Sequence, residues 1–363
     1  MRQIRTNIKP FGTKVLLTYG GGSIKKNGIY KKVMKQLKGF EVEEFGGIEP
    51  NPRVETIRKA LDKYKNNKPD IILAVGGGSV IDGSKLLAAS FHYDGDPWDF
   101  LIKNPQPEKY IPLATVLTLA ATGSEMNGAA VISRWKTQEK LHFIRDEVLP
   151  KFSILDPQNT YTVSRNQTAY GIIDAFSHVL EQYMHTTKNA PLQDRFSESI
   201  LLTLIENAPK VQKNPRNYCA RANLMWSATM ALNSIIALGV DQDWATHMIE
   251  HELSAFYDIP HGAGLAILTP RWMNVVRNQK KEKLVQFGKR IWGLEGKDQE
   301  IIDVAIEKTH DFFKSLGVKM SLSDWKINSK HFDVVVRRLT KMGIGETPLR
   351  RNQIRRILDD SMK

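Results

Sequence analysis

The residues with the clearest chemical potential are histidines that crowd together late in the chain. Of nine histidines, three fall within the segment DWATHMIEHELSAFYDIPHG. His247 and His251 are four residues apart, so on a helix they project from one face. His261 comes directly after Pro260, where that helix has already ended. Imidazole nitrogens grouped in this way are typical of a site for Fe²⁺ or Zn²⁺.

An aspartate and a histidine earlier in the chain add a carboxylate of the kind that such a site uses. Asp174 and His178 lie four residues apart in IIDAFSHVLEQY, a stretch with helical periodicity. Taken alone, such a pair is more often a hydrogen bond on a helix surface or in the core. Together with the later cluster it predicts a catalytic metal site with an open position. We expect the isolated histidines to be ordinary surface or core residues: His92, His142, His185, His310 and His331.

Two glycine-rich turns are candidates for binding a pyrophosphate. Each follows a strand-like run and opens a helix: Gly20, Gly21, Gly22 and Ser23 after KVLLTY, and Gly76, Gly77, Gly78 and Ser79 after DIILAV. Glycine lets the backbone approach a phosphate closely, and a helix N-terminus offers free N–H groups. One such turn is weak support, since glycines often only make tight turns, but two in one sheet favour a nucleotide site.

Further residues after these turns can reach the same ligand. Asp82 and Lys85 fall on the first helical turns after Ser79, although Asp82 at that position also favours the helix dipole without any ligand. The segment TLAATGSE, residues 118–125, includes Thr118 and Thr122 and supplies hydroxyl and backbone donors after another strand. A solvated loop rich in Ser and Thr is the alternative interpretation of that segment.

The surroundings of the first turn bear on the choice of coenzyme. In a Rossmann fingerprint, an acidic residue binds the adenosine ribose and selects NAD(H). We expect no carboxylate near the first turn, whereas Ser23, Lys25 and Lys26 are close to it. Hydroxyl and ammonium groups suit a 2′-phosphate, so NADP(H) is predicted in preference to NAD(H).

Strand-like and helix-like segments alternate in the first half of the chain and give way to helices in the second. Alternation of this kind is typical of a doubly wound parallel sheet. From Asp156 onward the strand signal fades, and long amphipathic stretches take over, as at 197–208, 221–236 and 299–316. We therefore predict an α/β plus all-α protein, with a dinucleotide-binding domain over residues 1–157 and a helical metal-binding domain over residues 158–363.

The composition excludes several classes of protein. The chain has 363 residues, 52 Lys and Arg against 39 Asp and Glu, and 41% apolar residues, as in globular rather than disordered or membrane-spanning proteins. Acidic residues interrupt most basic groups, so we expect no nucleic-acid partner. Cys219 is the only cysteine, and MRQIRTNIKPFG at the start lacks an apolar signal segment. These features predict a cytoplasmic protein without a membrane partner.

Taken together, these segments resemble the iron-containing (group III) alcohol dehydrogenases, most closely their butanol dehydrogenase and aldehyde reductase branch. The resemblance covers nearly the whole chain. Its most specific parts are YGGGSIKKNGIY, FGGIEPNPR, GGGSVIDGSK, LTLAATGSEMN, FSILDP, QDRFSE, IIDAFSH and HMIEHELSAFYDIPHG. It implies a Rossmann-like domain, a helical metal domain of the dehydroquinate synthase type, a cleft between them and a homodimer.

The resemblance also implies roles for individual residues. The metal ligands would be Asp174, His178, His247 and His261. His251 would lie inside the site without ligating, where it relays a proton or contacts substrate, and Lys140 would lie near the cofactor. The implied coenzyme contacts are Gly20, Gly21, Gly22, Ser23, Gly76, Gly77, Gly78, Ser79, Asp82, Thr118, Thr122 and Leu155.

The implied activity is reversible hydride transfer between NAD(P)H and short- to medium-chain aldehydes, with Fe²⁺ or alternatively Zn²⁺ polarising the carbonyl oxygen. A glycerol-dehydrogenase-like or dehydroquinate-synthase-like enzyme of the same fold is one alternative. A shortened relative that binds nucleotide or metal without catalysis is another, because relatives carry an extra strand, turn and helix where only thirteen residues precede Lys14 here. We expect that difference to affect assembly and to leave an exposed sheet edge.

Overall fold

The protein folds into two compact units of different architecture. The computed structural model describes residues 1 and 3–363, and the units span Met1–Val163 and Ser164–Lys363. The first unit is built on a parallel sheet, and the regular segments described in the second unit are all helical. The predicted fold class, an α/β domain of Rossmann-like type followed by a helical domain, is confirmed.

Seven strands are described, and five of them form one parallel sheet in the order β2-β1-β3-β4-β7. The central strands are apolar on both faces, with every residue from Ile71 to Val75 fully buried, as expected for a sheet covered by helices on both sides. The remaining two strands pair as an antiparallel hairpin. The strands are β1 (Lys14–Tyr19), β2 (Glu41–Phe45), β3 (Ile71–Gly76), β4 (Leu113–Leu117), β5 (Ala129–Arg134), β6 (Glu139–Ile144) and β7 (Phe152–Ile154).

Six α-helices are described in the first unit, beside the sheet. They are α1 (Ile4–Ile8), α2 (Ser23–Lys26), α3 (Ile29–Gln36), α4 (Val54–Tyr64), α5 (Gly78–Ser90) and α6 (Asp99–Ile102). Ile4 and Ile8 of α1 are fully buried in a core with Val33 and Leu37. Helix α5 is buried along nearly its whole length, which places the residues after the second glycine turn in the interior.

Nine α-helices are described in the second unit. They are α7 (Arg165–Tyr183), α8 (Pro191–Lys213), α9 (Tyr218–Ala231), α10 (Ala245–Tyr257), α11 (His261–Val275), α12 (Lys281–Trp292), α13 (Asp298–Ser315), α14 (Phe332–Met342) and α15 (Arg351–Asp360). Helix α7 contacts two of the later helices through Phe176, whose ring packs edge-on against Phe287 of α12 and Phe313 of α13. None of the helices that the structure describes is long and apolar enough to cross a membrane.

Candidate metal centre and dinucleotide site

The four predicted metal ligands come together in the second unit. Asp174 Oδ1 lies 3.5 Å from Nε2 of His178, 3.8 Å from Nε2 of His247 and 3.4 Å from Nε2 of His261. In a tetrahedral site with bonds of about 2.1 Å, neighbouring donor atoms lie about 3.4 Å apart. Each of the three histidine Nε2 atoms therefore lies at about the distance from Asp174 Oδ1 that a shared divalent ion requires.

Orphaned polar atoms at this point support the same fit. Among the residues that the structure describes, Asp174 Oδ1 and His247 Nε2 are buried and have no hydrogen-bond partner. A buried polar atom without a partner costs about 1–3 kcal/mol. The two atoms lie 3.8 Å apart, so an ion between them would satisfy both. The residues present thus fit the metal that the donor set implies.

Three helices position these ligands. Asp174 and His178 lie one turn apart on α7, His247 lies on α10, and His261 is the first residue of α11. The close approach of α11 to α7 depends on Gly262, where a Cβ atom would overlap the backbone carbonyl of Tyr170. The sequence spacing identified which residues share a face, and the packing of α11 against both α7 and α10 brings those faces together.

Glu181, on the same face of α7 as Asp174 and His178, fixes the orientation of His247. Its Oε2 accepts a hydrogen bond from Nδ1 of His247, which leaves Nε2 directed at Asp174. Its Oε1 accepts from the backbone N–H groups of Thr246 at 2.5 Å and His247 at 3.4 Å, so one carboxylate also caps the start of α10. A carboxylate behind a ligand imidazole fixes its tautomer and raises its basicity.

Glu250 plays the same part for His261. It is fully buried on α10, and its Oε2 accepts a hydrogen bond from Nδ1 of His261. Ser254, one turn further along, donates to the other carboxylate oxygen. Gly264 leaves room for Glu250, because a Cβ atom there would come within 2.8 Å of the glutamate side chain. The sequence analysis did not identify Glu181 or Glu250.

Burial and neighbouring charges set the protonation states at this site. Burial raises the pKa of Asp174, but the imidazoles of His178 and His261 outweigh it and hold that pKa well below its usual range. Burial lowers the pKa of His178 to about 3, so this imidazole is neutral. Burial also lowers the pKa of His247, yet Glu181 and Asp174 outweigh it and raise that pKa to about 9. Binding of an ion by His247 therefore releases a proton.

Aromatic rings enclose the ligands. The His178 and His247 rings stack with centroids 4.5 Å apart, and Trp244 lies edge-on to both at 6.0 and 5.3 Å. His251, one turn after His247 on α10, is 6% exposed, and its ring centroid lies 5.6 Å from that of His261. The structure thus places His251 beside His261, and its predicted role stays a prediction.

The predicted coenzyme residues in the first unit follow the carboxyl ends of parallel strands. Gly20 follows β1, Gly77 follows β3, Thr118 follows β4 and Leu155 follows β7. Because Tyr19 pairs with Val75, and Gly76 with Leu117, these ends lie at one edge of the sheet. Doubly wound folds bind nucleotides at that edge.

The two glycine turns differ in the space around them. A Cβ atom at Gly21 or Gly22 would meet no heavy atom within 4 Å, and Gly22 has a φ of 92° that only glycine adopts easily. At the second turn a Cβ atom on Gly78 would overlap Thr122. The first turn thus offers an open cradle, whereas the second is closely packed at the N-terminus of α5, where Ser79 is half-buried.

Alanine substitutions in the two turns are expected to separate binding from folding. Gly21→Ala adds a methyl group in open space, so the free energy of unfolding should change by less than about 0.5 kcal/mol while coenzyme affinity falls. Gly78→Ala forces a Cβ atom onto Thr122 and should cost about 1–3 kcal/mol. Denaturant unfolding and coenzyme titration of both variants check this. Unchanged coenzyme affinity in Gly21→Ala would contradict a cradle at the first turn.

Asp82 ties α5 to the loop and hairpin that follow β4. Its Oδ1 accepts a hydrogen bond from Ser124 Oγ at 2.5 Å, and its Oδ2 accepts from the backbone N–H of Val131 at 3.0 Å. Burial raises the pKa of Asp82, while the positive charges of Lys85 and Lys140 act against that rise. Both carboxylate oxygens thus have partners within the protein, and the predicted contact of Asp82 with coenzyme stays a prediction.

Two buried lysines also form hydrogen bonds around the loop and hairpin that follow β4. Lys85 is fully buried, and its Nζ donates to Ser124 Oγ at 2.8 Å, Asn127 Oδ1 at 3.0 Å and the carbonyl of Ala129 at 2.7 Å. Lys140 on β6 is 7% exposed and donates to Asn51 Oδ1 at 3.0 Å. Lys85 is thus held away from solvent by the loop, and Lys140 joins the hairpin to the segment FGGIEPNPR.

The lowered pKa of Lys85 predicts a rise in stability with pH. Burial lowers this pKa from 10.5 to about 8. Below about pH 8 the lysine is protonated in both the folded and the unfolded state. Between about pH 8 and 10.5 the unfolded chain binds more protons than the folded protein. The free energy of unfolding therefore rises with pH over this range, by up to about 3 kcal/mol. Denaturant titrations at about pH 7.5 and about pH 10 should show this increment in the wild type and in Lys289→Met, an exposed control. An equal increment in Lys85→Met would contradict it.

A carboxylate lies beside the first turn, contrary to expectation. Glu44 is on β2, the neighbour of β1, and its Oε2 lies 3.5 Å from Nζ of Lys25. The expectation that no carboxylate is near was wrong because it considered only residues close along the chain. Parallel pairing sets Glu44 opposite Leu17, just before the turn.

Comparison with known families defines the class of protein. The family described as iron-containing alcohol dehydrogenase matches residues 1–157, and the C-terminal part of the Fe-containing alcohol dehydrogenase family matches residues 168–362. The chain belongs to the iron-containing alcohol dehydrogenase family. It is therefore an oxidoreductase that uses a nicotinamide coenzyme, as the resemblance implied.

Individual relatives are similar over most of their length. The probable NADH-dependent butanol dehydrogenase 1 of Bacillus subtilis is 48% identical over 92% of this chain and 88% of its own. The NADPH-dependent aldehyde reductase YqhD of Escherichia coli is also 48% identical, over the same shares of the two chains. A crystal structure of YqhD superposes with a TM-score of 0.96 at 45% identity and covers 99% of this chain and 94% of its own. The structure of NADH-dependent butanol dehydrogenase A from Thermotoga maritima gives 0.95 at 40% identity, over 100% and 94%.

Proposed function

We propose that the protein is a metal-dependent aldehyde reductase that transfers hydride between NAD(P)H and short- to medium-chain aldehydes, in the manner of a butanol dehydrogenase. The observation that carries this proposal is the convergence of three imidazole Nε2 atoms on Asp174 Oδ1 at 3.4–3.8 Å. Asp174, His178, His247 and His261 would hold the ion. Fe²⁺ is the proposed metal and Zn²⁺ the alternative, because the donor set suits both.

The roles of the protein groups follow from their contacts. When bound, the ion polarises the carbonyl oxygen as a Lewis acid, and the reduced nicotinamide supplies the hydride. Glu181 and Glu250 keep Nε2 of His247 and His261 directed at the ion position. His251, which is 6% exposed beside His261, relays the proton that the product oxygen takes up. Lys140 supports the edge of the sheet at which the coenzyme would bind.

The preferred coenzyme in this proposal is NADP(H), although NAD(H) also binds. Ser23 and Lys26 are exposed at the open first turn, where they can donate to a 2′-phosphate. Two relatives of equal similarity support the binding of both coenzymes: one is named as NADH-dependent and the other as NADPH-dependent, each at 48% identity. The coenzyme would lie at the carboxyl edge of the sheet, between the glycine turns and the residues after β4 and β7.

The substrate class is tested by the consumption of reduced nicotinamide with a panel of aldehydes, compared with the oxidation of glycerol. We expect butyraldehyde and its neighbours in chain length to be reduced, faster with NADPH than with NADH. A turnover confined to glycerol would overturn the proposal in favour of a glycerol-dehydrogenase-like enzyme. The His310→Ala variant should keep wild-type turnover and is the control for substitutions of the metal-site histidines. His310 lies on α13, and its side chain is 31% exposed.

We also propose a cytoplasmic homodimer, which the family resemblance and the single cysteine support. Light scattering of the purified chain, combined with gel filtration, tests the assembly directly. A mass of twice 41.2 kDa is expected. A stable monomer would contradict the proposed assembly while leaving the proposed chemistry unaffected.

A further inference from the structure

A cluster of four side chains lies where β2 ends beside the first glycine turn. Glu44 accepts hydrogen bonds from the hydroxyl groups of Tyr19 at 3.1 Å and Tyr30 at 2.5 Å. Nζ of Lys25 lies 3.5 Å from the same carboxylate and 4.9 Å from the centroids of both tyrosine rings. We call these residues, Tyr19, Lys25, Tyr30 and Glu44, the Glu44 cluster.

The charges in the Glu44 cluster are fixed in place. Burial raises the pKa of Glu44, but the Tyr30 and Tyr19 hydroxyl groups and the Lys25 ammonium outweigh it and lower that pKa, so the carboxylate is ionised. The neighbouring Tyr19 side chain and the charge of Glu44 raise the pKa of Lys25. The side chains of Lys25 and Glu44 are 48% and 29% exposed. An anionic ligand at the first turn therefore meets Lys25 when this lysine is already paired with the Glu44 carboxylate.

The position of the cluster matches the adenosine end of a nucleotide site. The backbone N–H of Gly47, just after β2, donates to the carbonyl of Gly20 at 3.0 Å, which ties the end of β2 to the first turn. In doubly wound folds the acidic residue that contacts the adenosine ribose follows the first glycine by about 20 residues. Glu44 follows Gly20 by 44 − 20 = 24 residues, at the end of the adjacent strand.

We propose that Glu44 limits the preference of this site for NADP(H) over NAD(H), an inference that rests on the proposed coenzyme site. Its carboxylate opposes the charge of a 2′-phosphate and holds Lys25 away from that phosphate. Ser23 and Lys26 remain exposed at the turn and attract the phosphate. The two effects oppose each other, so the site binds both coenzymes.

Binding of adenosine fragments tests this inference without turnover. Isothermal titration of 2′,5′-ADP and 5′-AMP gives the contribution of the 2′-phosphate as a ratio of affinities. Glu44→Gln keeps the shape of the side chain and removes its charge, so we expect the ratio to rise about fivefold or more while the affinity for 5′-AMP stays within about twofold. The ratio of kcat/KM values for NADPH and NADH should move in the same direction.

Glu43→Gln is the matched control, because Glu43 is the preceding residue of β2 and points to the opposite face of the sheet. In this variant the ratio of the affinities for 2′,5′-ADP and 5′-AMP should stay at the wild-type value. Lys25→Met should lower the ratio more in the Glu44→Gln background than in the wild type, because only there is the ammonium free to reach the phosphate. An unchanged ratio in Glu44→Gln, an equal rise in Glu43→Gln, or additive effects of the Lys25 and Glu44 changes would overturn the inference. Failure of the wild type to bind either fragment or either coenzyme would instead overturn the proposed function.

Discussion

Replacing His261 with alanine is expected to remove bound metal and turnover together. The substitution deletes one of four donors and leaves the buried Glu250 carboxylate without the imidazole that donates to it. We expect the loss of metal affinity to exceed the roughly 10–100-fold typical when only the hydrogen-bond partner of a ligand is removed. The free energy of unfolding should also fall, by about 1–3 kcal/mol, because the buried Glu250 carboxylate loses one of its donors. Metal content by mass spectrometry and aldehyde-dependent oxidation of NADPH measure the two losses.

The matched control for His261→Ala is His310→Ala, which removes a half-exposed imidazole from α13. That variant should keep wild-type metal content and turnover. Circular dichroism of both proteins distinguishes loss of metal from loss of the helices. Retained turnover in a folded His261→Ala protein that contains no metal would contradict the assignment of His261 as a ligand of a catalytic ion.

Replacing Glu181 with glutamine is expected to weaken metal binding by about 10–100-fold without unfolding the second unit. The glutamine Oε1 can still accept from the backbone N–H of Thr246 and cap α10. Its amide nitrogen cannot accept from Nδ1 of His247, so the imidazole loses the partner that directs Nε2 at Asp174. Chelator competition measures the metal dissociation constant, and turnover at limiting metal should fall in parallel.

Glu206→Gln is the control for Glu181→Gln, since Glu206 is an exposed glutamate on α8. It should bind metal as the wild type does. Wild-type metal affinity in Glu181→Gln would show that the carboxylate acts only as a helix cap. A loss in both variants would indicate an effect of net charge rather than of the hydrogen bond to His247.

Local periodicity was sufficient to predict which side chains share a helix face and insufficient to predict which groups form hydrogen bonds with them. Asp174 and His178 share a helix face because they are four residues apart, and that relation holds in any helix. Glu181 lies on the same face one turn further, so a signal was present, but its partner is on α10, 66 residues away. Only the tertiary structure, in which α11 packs against both α7 and α10, decides which histidine this carboxylate contacts.

The first unit shows a similar limit. The strands β1 and β3 and the glycine turns were predictable because apolar runs ended in glycines. The hairpin of β5 and β6 was not predicted, and it provides the partners of Asp82 and Lys85, 49 and 44 residues away at Val131 and Ala129. Glu44 was missed for the same reason: strand pairing, rather than closeness along the chain, places it beside Lys25.

The most direct test of metal-dependent aldehyde reduction follows the absorbance of reduced nicotinamide. Butyraldehyde is added to the protein with NADPH and either Fe²⁺ or Zn²⁺, and the measurement is repeated with a chelator. We predict consumption of NADPH that requires the metal and stops when the chelator removes it. The absence of consumption with both NADPH and NADH, in a protein shown to be folded and loaded with metal, would contradict the proposed activity.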